Sequence, residues 1–323
     1  MPELLILRHA NAIRYDYEDD FNRRLRTKGK RNAQRIGTWL AVNQSLPDVI
    51  YSSPADRALT TAHKAIKSAG YGVDRVKTRE DFYPGSCHDF EKLLKKQPKK
   101  YQRIMLVGHN PALEMLLQKL VDKKLPLNKK GKILSPASMA ILKFDGDWSD
   151  LKAGKVKLVD IIHADNLPRQ YPYPLLKRRS WRDRPAYYYT QSAVIPYKIV
   201  NGKLKILLIT SNMGSHWVVP KGIHEPGMTA QESAAKEAME EAAVKGRVDN
   251  RLLASYKYPK WGAKCEVAVY AMRVTKQLCS KQWQESHRKR VWVSVNKAAD
   301  RLDNPDLQKI IKKLPDWLKK HSL

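Results

Sequence analysis

The sequence predicts an α/β protein of two domains. Three observations carry that prediction: strands alternate with helices over the first half, further strands surround one acid-rich helix in the second, and a proline- and arginine-rich break separates them. At 323 residues the chain is long enough for two domains that each bury a core. The expected boundaries are a first domain over 1–163, a linker over 164–186 and a second domain over 187–323.

Leu4–Leu7 is an apolar run that reads as a buried strand, and Thr27–Asn43 carries Ala33, Ile36, Trp39 and Leu40 at helical spacing. Asp48–Tyr51 is a short strand. Pro54 opens a helix to about Ser68, since proline is tolerated in a first turn. Phe90–Lys96 is helical. Arg103–Val107 is a strand that leads through Gly108-His109-Asn110-Pro111 into a helix over Ala112–Val121. Met139–Phe144 and Lys155–Ile162 are closing strands. The break holds Pro168, Pro172, Pro174 and Pro185 among arginines and tyrosines. It reads as a linker first and, second, as a segment that grips nucleic acid by charge and stacking. Beyond it, Asn201-Gly202 joins strands Ser192–Val200 and Lys203–Thr210 as a hairpin turn. Thr229 and Glu232 form a capping box that opens a helix to about Lys245. Leu252–Tyr258, Glu266–Val274 and Val291–Val295 are strands, Pro305–Leu314 is a helix, and a basic tail follows.

The net charge is +29, divided as +12 over residues 1–165 (31 Lys and Arg, 19 Asp and Glu) and +17 over residues 166–323 (30 and 13). Both halves therefore attract anions: nucleotides, polyphosphates, nucleic acid or an anionic surface. Cys87, Cys265 and Cys279 show no paired spacing, which points to a reducing compartment and away from disulfides or a zinc site. The first twelve residues have neither the basic segment nor the apolar length of a signal peptide, and no 18-residue apolar stretch exists. The expectation is a cytoplasmic protein with no membrane anchor.

The richest stretch runs from Gly222 to Val244. Glu237, Glu240 and Glu241 share one helix face there, and three clustered carboxylates repel unless a cation sits among them. Hard oxygen donors suit Mg²⁺ or Mn²⁺. The stretch resembles the Nudix box, G-x5-E-x7-R-E-U-x-E-E-x-G-U with U aliphatic, and the Trp217-Val-Val-Pro-Lys-Gly222 run before it resembles the branch that cleaves dinucleoside polyphosphates and diphosphoinositol phosphates. The resemblance covers residues 187–300 and implies an α/β/α sandwich. It also implies metal held by Glu237, Glu240, Glu241 and the Gly222 carbonyl, a glutamate that deprotonates the attacking water, with Glu240 and Glu241 in catalytic roles, and Lys221 and Trp217 on the substrate. Three positions depart: Met228, Lys236 and Ala243 stand where the family has glutamate, arginine and glycine. The brace between the first two is expected to be absent, Ala243 to continue the helix, and Glu225 to offer a further carboxylate.

In the first half, Arg8-His9-Ala10 follows a strand directly, His109 repeats that arrangement, and Ser53-Pro54-Ala55-Asp56-Arg57 puts an arginine in the first turn of a helix. Arg23-Arg24-Leu25 adds guanidinium groups. Histidines at strand ends with several arginines fit a phosphoryl pocket. This set resembles the histidine phosphatase superfamily, its short SixA-type phosphohistidine phosphatases above all, over about residues 3–160. It implies an α/β/α layer fold, His9 as nucleophile, Arg8, Arg57 and His109 around the transferring phosphoryl, and Arg24 on the substrate. Ala10 replaces the usual glycine, and for a separate acid there are only Glu80, Asp81 and Asp89 nearby.

The favoured function is a bifunctional phosphohydrolase. Its second domain cleaves a diphosphate linkage with Mg²⁺, and its first removes a phosphoryl group from a small molecule or a phosphohistidine protein. One alternative is a protein phosphohistidine phosphatase with a nucleotide-sensing second domain. A third is a basic RNA-associated protein.

Overall fold

The computed structural model describes residues 1–14, 19–121, 123–128 and 131–321. The chain divides into two compact units, Met1–Pro185 and Ala186–Leu323. Among the described residues no helix is long and apolar enough to cross a membrane.

The first unit is built on six strands: β1 (Glu3–Arg8), β2 (Val49–Ser52), β3 (Val76–Thr78), β4 (Arg103–Gly108), β5 (Ser138–Lys143) and β6 (Lys157–His163). Their order is β3-β2-β4-β1-β5-β6, with the first four parallel and β5 and β6 antiparallel. Helices α1 (Thr27–Val42), α2 (Asp56–Ser68), α3 (Cys87–Lys95) and α4 (Ala112–Leu120) cover it. Side chains of a strand alternate in direction, so β1 serves two cores. Leu4 and Ile6 join Phe90, Leu113, Leu116 and Trp148 on one face. Leu5 and Leu7 join Ile36, Leu40, Ala58 and Ala62 on the other. Helices α1 and α2 touch backbone to backbone, since a Cβ at Gly37 would lie 1.8 Å from the Ala65 carbonyl oxygen.

Residues 164–185, expected as a linker, belong to this unit. They form a hairpin of β7 (Tyr171–Tyr173) and β8 (Ser180–Arg182). Tyr171 is fully buried and its hydroxyl donates to the Arg31 carbonyl at 3.1 Å, while Arg178 donates to the Val42 carbonyl at 3.2 Å. The prolines and arginines read as a break, but the aromatic rings have an apolar helix face to bury against, and burial outweighs local irregularity.

The second unit has eight strands: β9 (Thr190–Val200), β10 (Lys203–Thr210), β11 (Trp217–Val218), β12 (Lys221–Ile223), β13 (Val244–Val248), β14 (Ala254–Lys260), β15 (Ala263–Gln277) and β16 (Arg290–Ser294). Its helices are α5 (Ala230–Ala242), α6 (Val295–Asp300) and α7 (Pro305–His321). β9 and β15 pair in parallel and the remaining pairs are antiparallel. Val194, Leu207 and Ile209 pack on Ala234, Ala238 and Ala242 of α5, and alternate residues Ala193, Ile195 and Leu208 pack on α7. Helices therefore cover both faces of this sheet, as in a sandwich. The expected basic tail is the continuation of α7, which runs through Pro315 to His321.

Ala243 does not continue α5. It takes φ of 51°, the left-handed conformation that ends a helix and that glycine adopts freely. Alanine there costs about 1 kcal/mol. Ala243→Gly is expected to raise stability by up to about that amount, less the contact of its buried methyl. Denaturant unfolding at constant slope checks this, and an unchanged or lower midpoint would refute it.

Candidate functional sites

β1 and β4 are parallel neighbours with Arg8 opposite Gly108. The next residues, His9 and His109, therefore leave the sheet side by side at the carboxyl ends of the strands, and their rings lie 5.1 Å apart. β2, the next strand over, delivers Ser53 and leads into α2, whose first turn carries Arg57. His9, His109 and Arg57 line a cleft of about 530 Å³ together with Arg8, Asp20, Arg23 and Tyr83, while the fully buried Ser53 bonds His109.

His9 Nδ1 lies 2.8 Å from the Ala10 carbonyl oxygen. A carbonyl only accepts, so Nδ1 carries the proton and Nε2 keeps its lone pair. Burial first, then Arg57, Arg8 and Arg23, push the pKa of His9 down to about 4, against the bond to Ala10. Burial, then His9 and Arg57, push His109 down to about 3. Both imidazoles are neutral at pH 7. Because the unfolded chain takes up these protons at about pH 6.5, their contribution to stability is present above that pH and is lost as pH falls toward the folded values. An NMR titration of the His9 ring is expected to show a midpoint near 4; a midpoint near 6.5 would sink this reading.

Asp20 organises the cations. It accepts from Arg57 Nη2 at 2.8 Å, from Arg23 Nε at 2.9 Å and from the Tyr83 hydroxyl at 2.7 Å, and its carbonyl accepts from Arg57 Nη1. Burial raises its pKa, but Tyr83 and the two guanidiniums prevail and hold it at about 2. It is thus fixed as an anion and has no proton to give. Two guanidinium donors of the cleft-lining residues remain: Arg8 Nε and Arg57 Nε are buried with no hydrogen-bond partner among the described residues, as is the ring nitrogen His109 Nδ1. A group of orphaned, buried donors calls for an acceptor-rich ligand.

Arg8, His9, Arg57 and His109 come together as the sequence implies. Arg24 does not: it is exposed, and its neighbour Arg23 lines the cleft. In an extended stretch, adjacent side chains point opposite ways, so a one-residue choice decides which arginine faces in. None of the expected acids lines the cleft. Asp89 caps α3 through Ser86, Asp81 pairs with Arg79, and Glu80 is exposed. Ala10 needs no positive φ; it is buried and its N–H donates to Thr61. Asp20, Ser53 and Tyr83 were not anticipated, and no spacing signal marks them.

In the second unit, β12 and α5 meet face to face. A Cβ at Gly222 would lie 2.0 Å from Glu237 Oε1, so only glycine leaves room for that carboxylate. Burial, then Glu241 and Glu240, push the Glu237 pKa up to about 7. Glu241 is otherwise engaged: Oε2 accepts from the Lys221 N–H at 3.0 Å, and Oε1 pairs with the buried Arg288 at 2.6 Å. Glu240 faces Lys236 at 3.6 Å within α5, an i,i+4 pair on the helix's own surface. The expected three-carboxylate metal cluster is thus not assembled. Among the described residues no three His, Cys, Asp or Glu side chains form a metal-holding group. The reason is Arg288, which is remote in sequence and satisfies Glu241 with an internal cation. The donor chemistry still suits a hard divalent ion at Glu237, a carboxylate that burial first, and then Glu241 and Glu240, leave costly to ionise without a cation.

Lys221 lies over the Tyr258 ring, with Nζ 4.2 Å from its centroid, and burial and Lys260 lower its pKa to about 8. Trp217 stands on β11. It is half-buried against the second unit's core, bridged to Leu302, with Arg301 over its ring at 5.3 Å.

Residues 189–314 match the NUDIX domain family, and residues 4–101 match the histidine phosphatase superfamily, branch 1. Nudix hydrolase 16, mitochondrial, of Arabidopsis thaliana is 31% identical over 130 residues, which is 34% of this chain and 71% of the relative. The chain belongs to the Nudix family. Nudix hydrolase 17, mitochondrial, of the same plant is 31% identical over 121 residues, and the chain spans 62% of its length and uses 33% of its own. The first unit of this Nudix protein carries a histidine phosphatase domain. Over 78 residues it is 38% identical to the 2,3-bisphosphoglycerate-dependent phosphoglycerate mutase of Mycobacterium leprae, 21% of this chain and 29% of the relative. Solved structures that resemble it include a putative phosphohistidine phosphatase SixA from Nakamurella multipartitia, at 25% identity and a TM-score of 0.43, over 50% of this chain and 95% of that one. A C. elegans Ap4A hydrolase resembles the Nudix unit at 20% identity and a TM-score of 0.35, over 40% of this chain and 98% of that one.

Proposed function

We propose that the chain is a phosphohydrolase with two centres. In the first, His9 Nε2 attacks a phosphoryl group, the leaving group departs with the electron pair of the broken bond, and water later releases phosphate from the phosphohistidine. The observation that carries this reading is the neutral His9, held by Ala10 with its Nε2 lone pair available beside the unpartnered guanidinium N–H groups of Arg8 and Arg57. Arg8 and Arg57 bind phosphoryl oxygens. The Ser53 hydroxyl accepts from the Ala55 N–H and bonds His109 Nε2 at 2.8 Å. With Ser53 as donor to Nε2, His109 keeps its proton on Nδ1 and offers it to the phosphoryl. Asp20 positions Arg57 and supplies no acid, so the favoured substrates have leaving groups that need little protonation, phosphohistidine among them.

In the second centre, the chain hydrolyses a diphosphate linkage in a nucleoside or dinucleoside polyphosphate. A divalent ion, Mg²⁺ or Mn²⁺, when bound supplies charge neutralisation to the diphosphate. Glu237 and Glu240 would hold it, with Glu241 joining when it parts from Arg288. Lys221 and Lys260 share one locality and favour an anionic substrate. Phosphate and pyrophosphate release from a panel of nucleotides, dinucleoside polyphosphates and a phosphohistidine peptide, with and without Mg²⁺ or Mn²⁺, tests both. Two separable activities, only one metal-dependent, are expected. A single activity would sink the two-centre proposal.

A further inference from the structure

We propose that the β7–β8 hairpin and the face of α1 beneath it form a binding surface for single-stranded nucleic acid, lined by none of the residues assigned to either centre. A slot of about 90 Å³ opens there, lined by Trp39, Val42, Leu167, Pro168, Pro172 and Trp181. Arg35 and Arg178 line it as well. Trp181 is 51% exposed and Leu176 is 71% exposed, so the hairpin presents apolar surface that the fold does not use.

The charge around the slot is one-sided. Between residues 164 and 185 lie Arg169, Lys177, Arg178, Arg179, Arg182 and Arg184 against only Asp165 and Asp183. Asp165 is occupied by Lys28 and Asn32, and Asp183 accepts from Gln170. Arg182 already sets its guanidinium carbon over the ring of Tyr173, 3.5 Å from the centroid, a contact such groups also make with bases.

Size and charge together select the occupant. The slot is far below the roughly 300 Å³ of a small-molecule pocket, and a partner helix about 10 Å across does not enter it. A second copy would bring the same cationic face and repel it. A polynucleotide strand satisfies both features, with one base at a time stacking on Trp181 while phosphates run along the arginines. Duplex bases are already stacked and do not reach such a slot.

The test is fluorescence anisotropy of the full chain with labelled twelve-nucleotide oligo(U), oligo(A) and their DNA counterparts at several salt concentrations, with polyglutamate as competitor. Trp181→Ala is expected to weaken binding about tenfold and leave the salt slope unchanged. Arg178→Gln is expected to lower the salt slope by about one. RNA and DNA arms tell which strand is preferred. Both side chains are exposed enough to be replaced without unfolding, which circular dichroism and retained phosphohydrolase activity check. Equal binding by wild type and Trp181→Ala reduces the surface to nonspecific charge and overturns the proposal. So does displacement by polyglutamate at equal charge, which would assign the face to acidic proteins.

Discussion

His9→Ala is expected to reduce phosphoryl transfer at the first centre by about a thousandfold or more, because the nucleophile is removed and its neighbours have no substitute. Asp20 cannot stand in: it is tied to Arg57, Arg23 and Tyr83. His109 cannot, because its Nε2 is bound to Ser53. The variant should fold, since it deletes a side chain that lines a cleft and leaves the core of Leu5 and Leu7 intact. Acid-labile, base-stable radiolabel on the wild type after brief incubation with a labelled substrate, absent in His9→Ala, identifies the intermediate. Metal-dependent pyrophosphate release should be untouched. Label that persists in His9→Ala would move the nucleophile elsewhere and end the assignment.

The second large effect is expected at Glu241. Glu241→Gln should lower metal-dependent hydrolysis by about a hundredfold or more, the scale of losing a catalytic carboxylate. It should also destabilise the second unit. Glu241 and Arg288 are both nearly enclosed, and removing one member of a buried ion pair leaves the other charge uncompensated, at a cost of up to about 3 kcal/mol. Glu285, also bonded to Arg288, and the remaining amide of the glutamine soften that cost. The two consequences separate by experiment. Thermal unfolding reports the ion pair, and the metal dependence of turnover at a temperature where the variant is folded reports the chemistry. A Glu241→Gln protein that loses stability but keeps full metal-dependent turnover would leave Glu241 as Arg288's partner and pass the catalytic role to Glu237 or Glu240.

The same residue shows how far a sequence motif reaches. Helical spacing placed Glu237, Glu240 and Glu241 on one face of α5, and the family resemblance identified them as metal ligands. Spacing along a helix specifies which side chains are neighbours, but not what stands opposite them. Arg288, forty-seven positions later in the chain, arrives from the segment before β16 and changes the charge state of the face. No local pattern marks an arginine that acts at that separation. Asp20 is the counterpart in the first unit. It lies in a polar stretch with no motif, and its role exists only because Arg57, Arg23 and Tyr83 converge on it.

Much else was legible. The apolar runs, the Asn201-Gly202 turn and the Thr229 capping box located most elements to within a few residues, because hydrophobic periodicity and turn chemistry act locally. The short strand β3 is not legible, since one half-buried and two exposed residues carry no periodic signal. The segment expected as a linker differs for the opposite reason: its prolines and arginines describe an irregular backbone, while Tyr171 finds a helix face to bury against.

Residue type and local spacing by themselves determined that this chain folds as two α/β units with histidines and arginines at strand ends in one and glutamates on a helix face in the other. Tertiary structure decided that Arg23 and not Arg24 faces the cleft, that Glu241 answers to Arg288, that Ala243 ends α5, and that the hairpin of residues 171–182 folds onto α1. Each of those outcomes depends on which groups meet across long loops, where burial and pairing of charges outweigh the preferences of neighbours in sequence.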